Sequence, residues 1–367
     1  MVNLDARVVA PLLPTVAAEL GVSLARAAWL VSAYMLPYGL CQLMFGPLAD
    51  RFGKITVCTY AMLAFSVGTA CTALWPSFEA IVTLRALTGA MAAGLIPLTL
   101  AYIGDTVPYE RRQATIGTLM ATAGAAQALS TSLGGAIATL LSWRAVFPSL
   151  GALALAAAIA LYLSGRGERR RPRGNGERPA YADVLRTPGM LPLLLLVATE
   201  GCLFMGGFSF LSGWLEQRFA LDAMGIGLVL SLAGVSQLAT AWRLPFILRH
   251  FSERRLLGVG GAALAAAFAL SALAPHWGVV ALGCALLGVG FILCHTTLQT
   301  RATEAYPRGR GTAVALFAFS LFLGSGLGTA ALGLILDALG FQRLLLLVAA
   351  LLVAFTLVVV RVLGRAR

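Results

Sequence analysis

Long apolar runs dominate this chain, and their length decides what it can fold into. Apolar helices are expected at 26–48, 56–75, 79–104, 113–139, 143–164, 190–212, 224–247, 254–274, 277–303, 309–336 and 341–363, with a shorter apolar piece from Val8 to Leu20 before them. Each long run is near or above the ~20 residues that carry a helix across a bilayer. Only 11% of the residues are charged and 59% are hydrophobic, and the mean hydropathy is +0.87. A soluble domain carries roughly 25% charged residues, so lipid must face much of this surface. The fold class is an all-α polytopic membrane protein.

The formal charge of +12 does not point to nucleic acid, because the basic residues lie between spans and form no basic face on a polar domain. Alternate loops collect them. One side holds Arg51 and Lys54, Arg111 and Arg112, seven arginines from Arg166 to Arg186, Arg249, Arg254 and Arg255, Arg301, Arg308 and Arg310, and the tail Arg361, Arg365 and Arg367. The other side holds Arg26, Arg144, Arg218 and Arg343. Positive loops stay cytoplasmic, which places the central linker and the C-terminus in the cytoplasm. The opening residues carry Asn3, Asp5 and Arg7 where a cleavable signal would have a basic stretch and an apolar core. The six cysteines all fall within apolar spans without a C-x-x-C pair, so they read as small packing residues, with no disulfide or metal role.

The stretch 165–188 is the single long polar segment, rich in Arg, Gly and Pro, and reads as a flexible linker between residues 1–164 and 189–367. The two parts align at one offset, 199 residues: Phe52 on Phe251, Pro76 on Pro275, Gly89 on Gly288, Pro108 on Pro307 and Arg144 on Arg343. Five anchors at a common offset argue for a duplication, and an even helix count per half makes it a parallel repeat about the membrane normal. Subtracting the offset from the helix at 190–212 starts its counterpart before residue 1. The expectation is twelve helices as 6+6 with helix 1 truncated in this sequence; a natural eleven-and-a-half-helix chain is the alternative.

The turn Gly46-Pro47-Leu48-Ala49-Asp50-Arg51-Phe52-Gly53-Lys54, G-x-L-A-D-R-x-G-K, resembles the loop between the second and third helices of the major facilitator superfamily of secondary transporters. The resemblance implies a fold of two six-helix halves, and a loop that latches the cytoplasmic gate. On that reading Gly46, Asp50, Arg51, Gly53 and Lys54 form the gate with Arg111 and Arg112, Asp50 facing these arginines and the helix start near Gly309. Arg85 and Gly89 resemble the family's R-x-x-x-G fourth-helix motif, associated there with proton coupling. The antiporter signature of helix 5, G-x-x-x-G-P-x-x-G-G, is matched only at Gly134-Gly135, with Ala126, Ser130 and Thr131 at earlier positions.

Ionisable residues inside the spans mark candidate sites, since each is costly there without a partner or a cavity. Glu200 sits near mid-membrane in the expected helix 190–212 and is read as a proton carrier or an anchor for a cationic substrate; a helix-packing hydrogen bond while protonated is the structural alternative. Arg85 cannot discharge and needs a carboxylate. Asp5 is the candidate, although it could sit near the outer surface with Arg7. His295, followed by Gln299, Arg301 and Glu304, reads as a gate network or an interfacial cap. Tyr34, Tyr38, Gln127, Phe204, Phe208, Gln237, His295 and Phe317 are candidate lining of a mixed apolar and polar cavity, suited to amphipathic molecules more than to sugars.

The expected function is secondary transport by alternating access, resembling the drug:proton antiporter branch, with efflux of small hydrophobic or amphipathic compounds. A proton symporter importing an organic solute, or a transport-incompetent remnant or sensor, are the alternatives. No nucleophile–base pair, metal set or cofactor motif appears, so an enzyme is not expected. The proton gradient would be the energy source in place of a cofactor. The expected partners are a small-molecule substrate, protons and the lipid of a bacterial inner membrane, with the protein a monomer.

Overall fold

The computed structural model describes residues 2–165 and 181–363, and these residues are helical almost throughout. In chain order the helices are α1 (Val2–Val8), α2 (Leu13–Leu20), α3 (Leu24–Ala27), α4 (Trp29–Phe52), α5 (Lys54–Thr72), α6 (Phe78–Ala92), α7 (Leu95–Thr106), α8 (Tyr109–Leu140) and α9 (Trp143–Gly165). After the linker come α10 (Tyr181–Leu185), α11 (Met190–Glu200), a π-helical turn (Gly201–Met205), α12 (Gly206–Phe208), α13 (Leu211–Phe219), α14 (Ala223–His250), α15 (Glu253–Ala272), α16 (Trp277–Ala305) and α17 (Arg310–Leu363).

Among the described residues, nine helices are long and apolar enough to cross a membrane. The last covers two of the expected spans, bent at Gly340, where φ is +72°. The expected span at 113–139 is helical as part of α8, although it is not among the nine. The chain between Val2 and Leu20 forms α1, a 3₁₀ turn at Ala10–Leu12 and α2; Pro11 and Pro14 sit at the starts of the latter two, where a missing N–H costs no helical bond. Leu140, Leu141, Leu334 and Trp242 stand on the outside, Trp242 at 90% exposure, a surface for lipid and not water.

Two hydrophobic cores form. One joins residues from Val8 to Ala154, the other chiefly residues from Val184 to Val359. Between them α4 runs along α17 and α8 runs along α14. The 199-residue repeat recurs as packing. A Cβ on Gly89 would lie 2.2 Å from the Tyr34 carbonyl oxygen, and one on Gly288 would lie 2.2 Å from the Ala233 carbonyl oxygen. Both members of that contact are displaced by the same offset. The seam repeats it too, with Gly39 on Leu323 and Gly124 on Leu238.

Charge pairs at the helix ends follow the same plan with signs reversed. Lys54 at the start of α5 pairs with Asp105 near the end of α7, and Glu253 at the start of α15 pairs with Arg301 near the end of α16 at 2.6 Å. The cross-seam contacts run from Ala25–Gly333 and Gly135–Ala223, at the arginine-poor end, to Gly39–Leu323 at mid-length. Part of the polar linker departs from the expected flexible coil: α10 is a helical turn whose Tyr181 hydroxyl donates to the Leu43 carbonyl at 3.3 Å and whose Val184 is fully buried. Two apolar side chains three apart give this turn one face to bury. The middle of the expected linker, 166–180, lies outside the described residues.

Gly89→Ala or Gly288→Ala should each lower the apparent Tm in detergent, by the ~1–3 kcal/mol that overpacking costs. Gly117→Ala, where a Cβ meets open space, should leave it unchanged or raise it. Equal melting of all three variants would count against these close approaches.

Candidate functional site

Among the described residues, two ionisable pairs sit inside the bundle, one joining α1 to α6 and the other α11 to α16. In the first, Arg85 of α6 donates from Nη1 to Asp5 Oδ1 at 2.9 Å and Oδ2 at 2.7 Å. Its Nη2 reaches the Asp5 carbonyl at 3.4 Å and its Nε the Leu30 carbonyl at 3.5 Å. The Tyr34 ring closes the site, with the guanidinium carbon 4.3 Å from its centroid. Both charged side chains are essentially solvent-free, 1% and 0% exposed. Asp5 therefore pairs with Arg85 and does not lie at the outer surface beside Arg7.

The second pair is Glu200 at the end of α11 and His295 of α16, with Nδ1 3.0 Å from Oε2. Glu200 is fully buried and His295 is 15% exposed. The Cys294 thiol neighbours the same carboxylate. His295 stacks on Phe291 with ring centroids 4.5 Å apart, and the Phe317 ring is tilted against it at 5.0 Å. The structure thus differs from the expected link of His295 to Arg301 and Glu304: Arg301 is taken by Glu253 and His295 faces inward. Immediately after Glu200 the chain takes the wide π turn, a departure that recurs at functional sites.

The lining residues separate into groups. Phe204 stacks on Phe291 at 4.7 Å and lies 6.4 Å from Phe208, and the Gln127 and Gln237 amides meet across the seam at 3.1 Å. Tyr34 and Tyr38 do not line this space. Tyr34 is fully buried against Arg85, and Tyr38 packs edge-on against Phe322 across the seam at 4.5 Å. Phe317 is likewise buried against His295. A residue the sequence reading did not place here, Arg7, lines a narrow crevice with Phe208, Met35, Met205 and Ser325. The signal was present: two residues along a helix is a turn of about 200°, so with Asp5 directed to Arg85, Arg7 must face the other way.

The gate residues lie at the junction of α4 and α5. Gly46 is within α4, Asp50 and Arg51 are exposed in its last turn, and Gly53 makes the turn with φ +91°. Arg51 lies over the Phe52 ring at 5.2 Å, while Lys54 goes to Asp105. Arg111 is exposed at the start of α8; the side chain of Arg112 lies outside the described residues.

A family model described as Major Facilitator Superfamily matches residues 1–329. The uncharacterized MFS-type transporter YceJ of Bacillus subtilis (strain 168) is 28% identical over 343 residues, 91% of this chain and 86% of that protein. The cephamycin export protein CmcT of Amycolatopsis lactamdurans is 31% identical over 306 residues, 80% of this chain; the match spans 60% of that protein's length. Among solved structures, a bacterial homolog to the human lysosomal transporter Spinster, inward-facing and unoccupied, superposes with a TM-score of 0.82. That likeness covers 100% of this chain and 95% of that one at 18% identity, and it shows the fold.

Removing one member of a buried ion pair strands the other, at ~3–5 kcal/mol. Asp5→Leu and Arg85→Met should therefore each lower thermal stability sharply, and the double variant should recover most of the loss. Additive losses in the double-mutant cycle would refute the pairing.

Proposed function

Because the chain belongs to the major facilitator superfamily, an integral membrane family of transporter fold, we propose that it is a proton-coupled exporter of small hydrophobic or amphipathic compounds that works by alternating access. The observation that carries this reading is the two acid–base contacts inside the bundle, Asp5–Arg85 and Glu200–His295. Charged groups are kept at such depth only where something offsets their cost, and function is the default reading.

Each pair ties two helices together through charge. A proton taken up by Glu200 would remove the charge that His295 faces, and α11 and α16 would lose that tie. The same step at Asp5 would release Arg85, which cannot itself discharge. Protonation thereby biases one arrangement of the bundle over another, which is all that coupling requires. The seam contacts at the arginine-poor end, from Ala25–Gly333 inward, support a conformer closed at that end. With the arginine-rich loops in the cytoplasm, that conformer opens inward, ready to take up a compound for export. The similarity to a cephamycin export protein supports the outward direction. The proposed setting is a bacterial inner membrane, with the protein acting as a monomer driven by the proton gradient.

Purified protein in proteoliposomes with an internal pH reporter tests this. Adding amphipathic compounds should move protons through the wild type, and Glu200→Gln should reduce that movement about a hundredfold or more, the lower end of what general acid–base roles contribute (~10²–10⁴). Asp5→Asn should uncouple likewise. No proton movement with any compound, or unchanged movement in both variants, would sink the reading.

A further inference from the structure

Among the described residues, Arg7 is a partly buried charge that neither pair uses. Its guanidinium carbon sits 5.1 Å from the Phe208 ring centroid and 5.7 Å from that of Phe204, both rings coming from the second half of the chain. With the Gln127 amide turned to satisfy its neighbours, Gln127 Oε1 accepts from Arg7 Nη2 at 3.0 Å and Nε at 3.1 Å. Asp5 is committed to Arg85 through both carboxylate oxygens, and Glu200 faces His295. Among the described residues no carboxylate pairs with Arg7, so the crevice carries one positive charge in excess.

A guanidinium does not lose its proton in a protein, and a cation partly withdrawn from water is stabilised by an anion beside it. Ring faces and a neutral amide offset part of that cost, and they leave Nη1 and its protons free for an acceptor. The remaining lining, Ala10, Val31, Met35, Met205 and Phe208, is apolar apart from Ser209 and Ser325. A cationic substrate would find both nearby carboxylates engaged and the two phenyl faces already occupied by Arg7.

We propose that this crevice recognises the acidic group of its substrate: the transported compound is an organic anion, its carboxylate or sulfonate on Arg7 and its aromatic or aliphatic body against Val31, Met35 and Met205. The inference rests on the transport reading above and adds the sign of the substrate's charge. The position also fits coupling. Arg7 lies over Phe204, Phe204 stacks on Phe291, Phe291 stacks on His295, and His295 holds Glu200, so an anion on Arg7 is linked to the second ion pair through this run of rings. Asp5 is two residues from Arg7 on the same helix.

Three naphthalenes of matched shape test the charge: 2-naphthoate, the neutral 2-naphthamide and 2-naphthylmethylammonium, titrated calorimetrically into the full chain in lipid nanodiscs. The naphthoate should bind at least tenfold tighter than either of the others; Arg7→Gln should erase that preference and Arg7→Lys should keep it in part. Equal binding of the three, binding of none, a preference for the ammonium, or a preference that survives in Arg7→Gln would overturn the inference. Counterflow of the same compounds in proteoliposomes separates the two readings. Anion preference in binding without transport would sink the transport reading alone, and transport that favours the ammonium or the amide would sink the anion inference alone.

Discussion

An arginine that cannot give up its charge, placed where water cannot reach it, sets the geometry of the first half of this protein. Arg85 gathers three groups from two other helices: the Asp5 carboxylate from α1, and the Leu30 carbonyl and the Tyr34 ring from α4. In a lipid setting the backbone must be satisfied within helices, so side chains such as this one decide how the helices meet. Gly89, one turn beyond Arg85 on the same helix, lets α6 come down on the Tyr34 carbonyl. Close approach and ion pair are one arrangement: a Cβ at Gly89 would push α6 away from the ring that covers the guanidinium.

Duplication explains the architecture better than it explains the chemistry. The glycine contacts of α6 on α4 and of α16 on α14 repeat at a fixed offset, as do the seam contacts. The ionisable pairs do not. Asp5 has Phe204 as its counterpart and Arg85 has Cys284, while Glu200 and His295 form a separate pair between the corresponding helices. The surface latches Lys54–Asp105 and Glu253–Arg301 join corresponding helix ends with reversed sign. Packing surfaces were retained after duplication because they hold the fold. The interior charges diverged, which leaves a bundle symmetric in outline and asymmetric where protons and substrate act.

The arginine asymmetry also has a structural side. At the arginine-poor end Arg26 pairs with Glu79, and Arg144 pairs with Glu19 at 3.0 Å while donating to the Trp75 carbonyl at 3.0 Å. These arginines are engaged locally, which leaves the unbalanced positive charge on the opposite loops and sharpens the signal that orients the chain.

Much of this was legible from residues alone. Run length and scarce charge determined a helical membrane protein, because only internally bonded helices of that length satisfy their backbone in lipid. The Gly46–Lys54 turn and the Arg85–Gly89 spacing carried the family resemblance, and the 199-residue offset foretold which glycines would be equivalent. Tertiary structure alone decided the partners. His295 turned from a gate or interfacial reading to an inward pair with Glu200, Tyr34 from cavity lining to the cover of an ion pair, and Arg7 from a neighbour of Asp5 with no role of its own to the cation of the crevice. The physical reason is that sequence periodicity gives the face of a helix on which a charge lies, while the group that meets that face comes from a helix distant in the chain, and in a low-dielectric interior that partner determines what the charge can do.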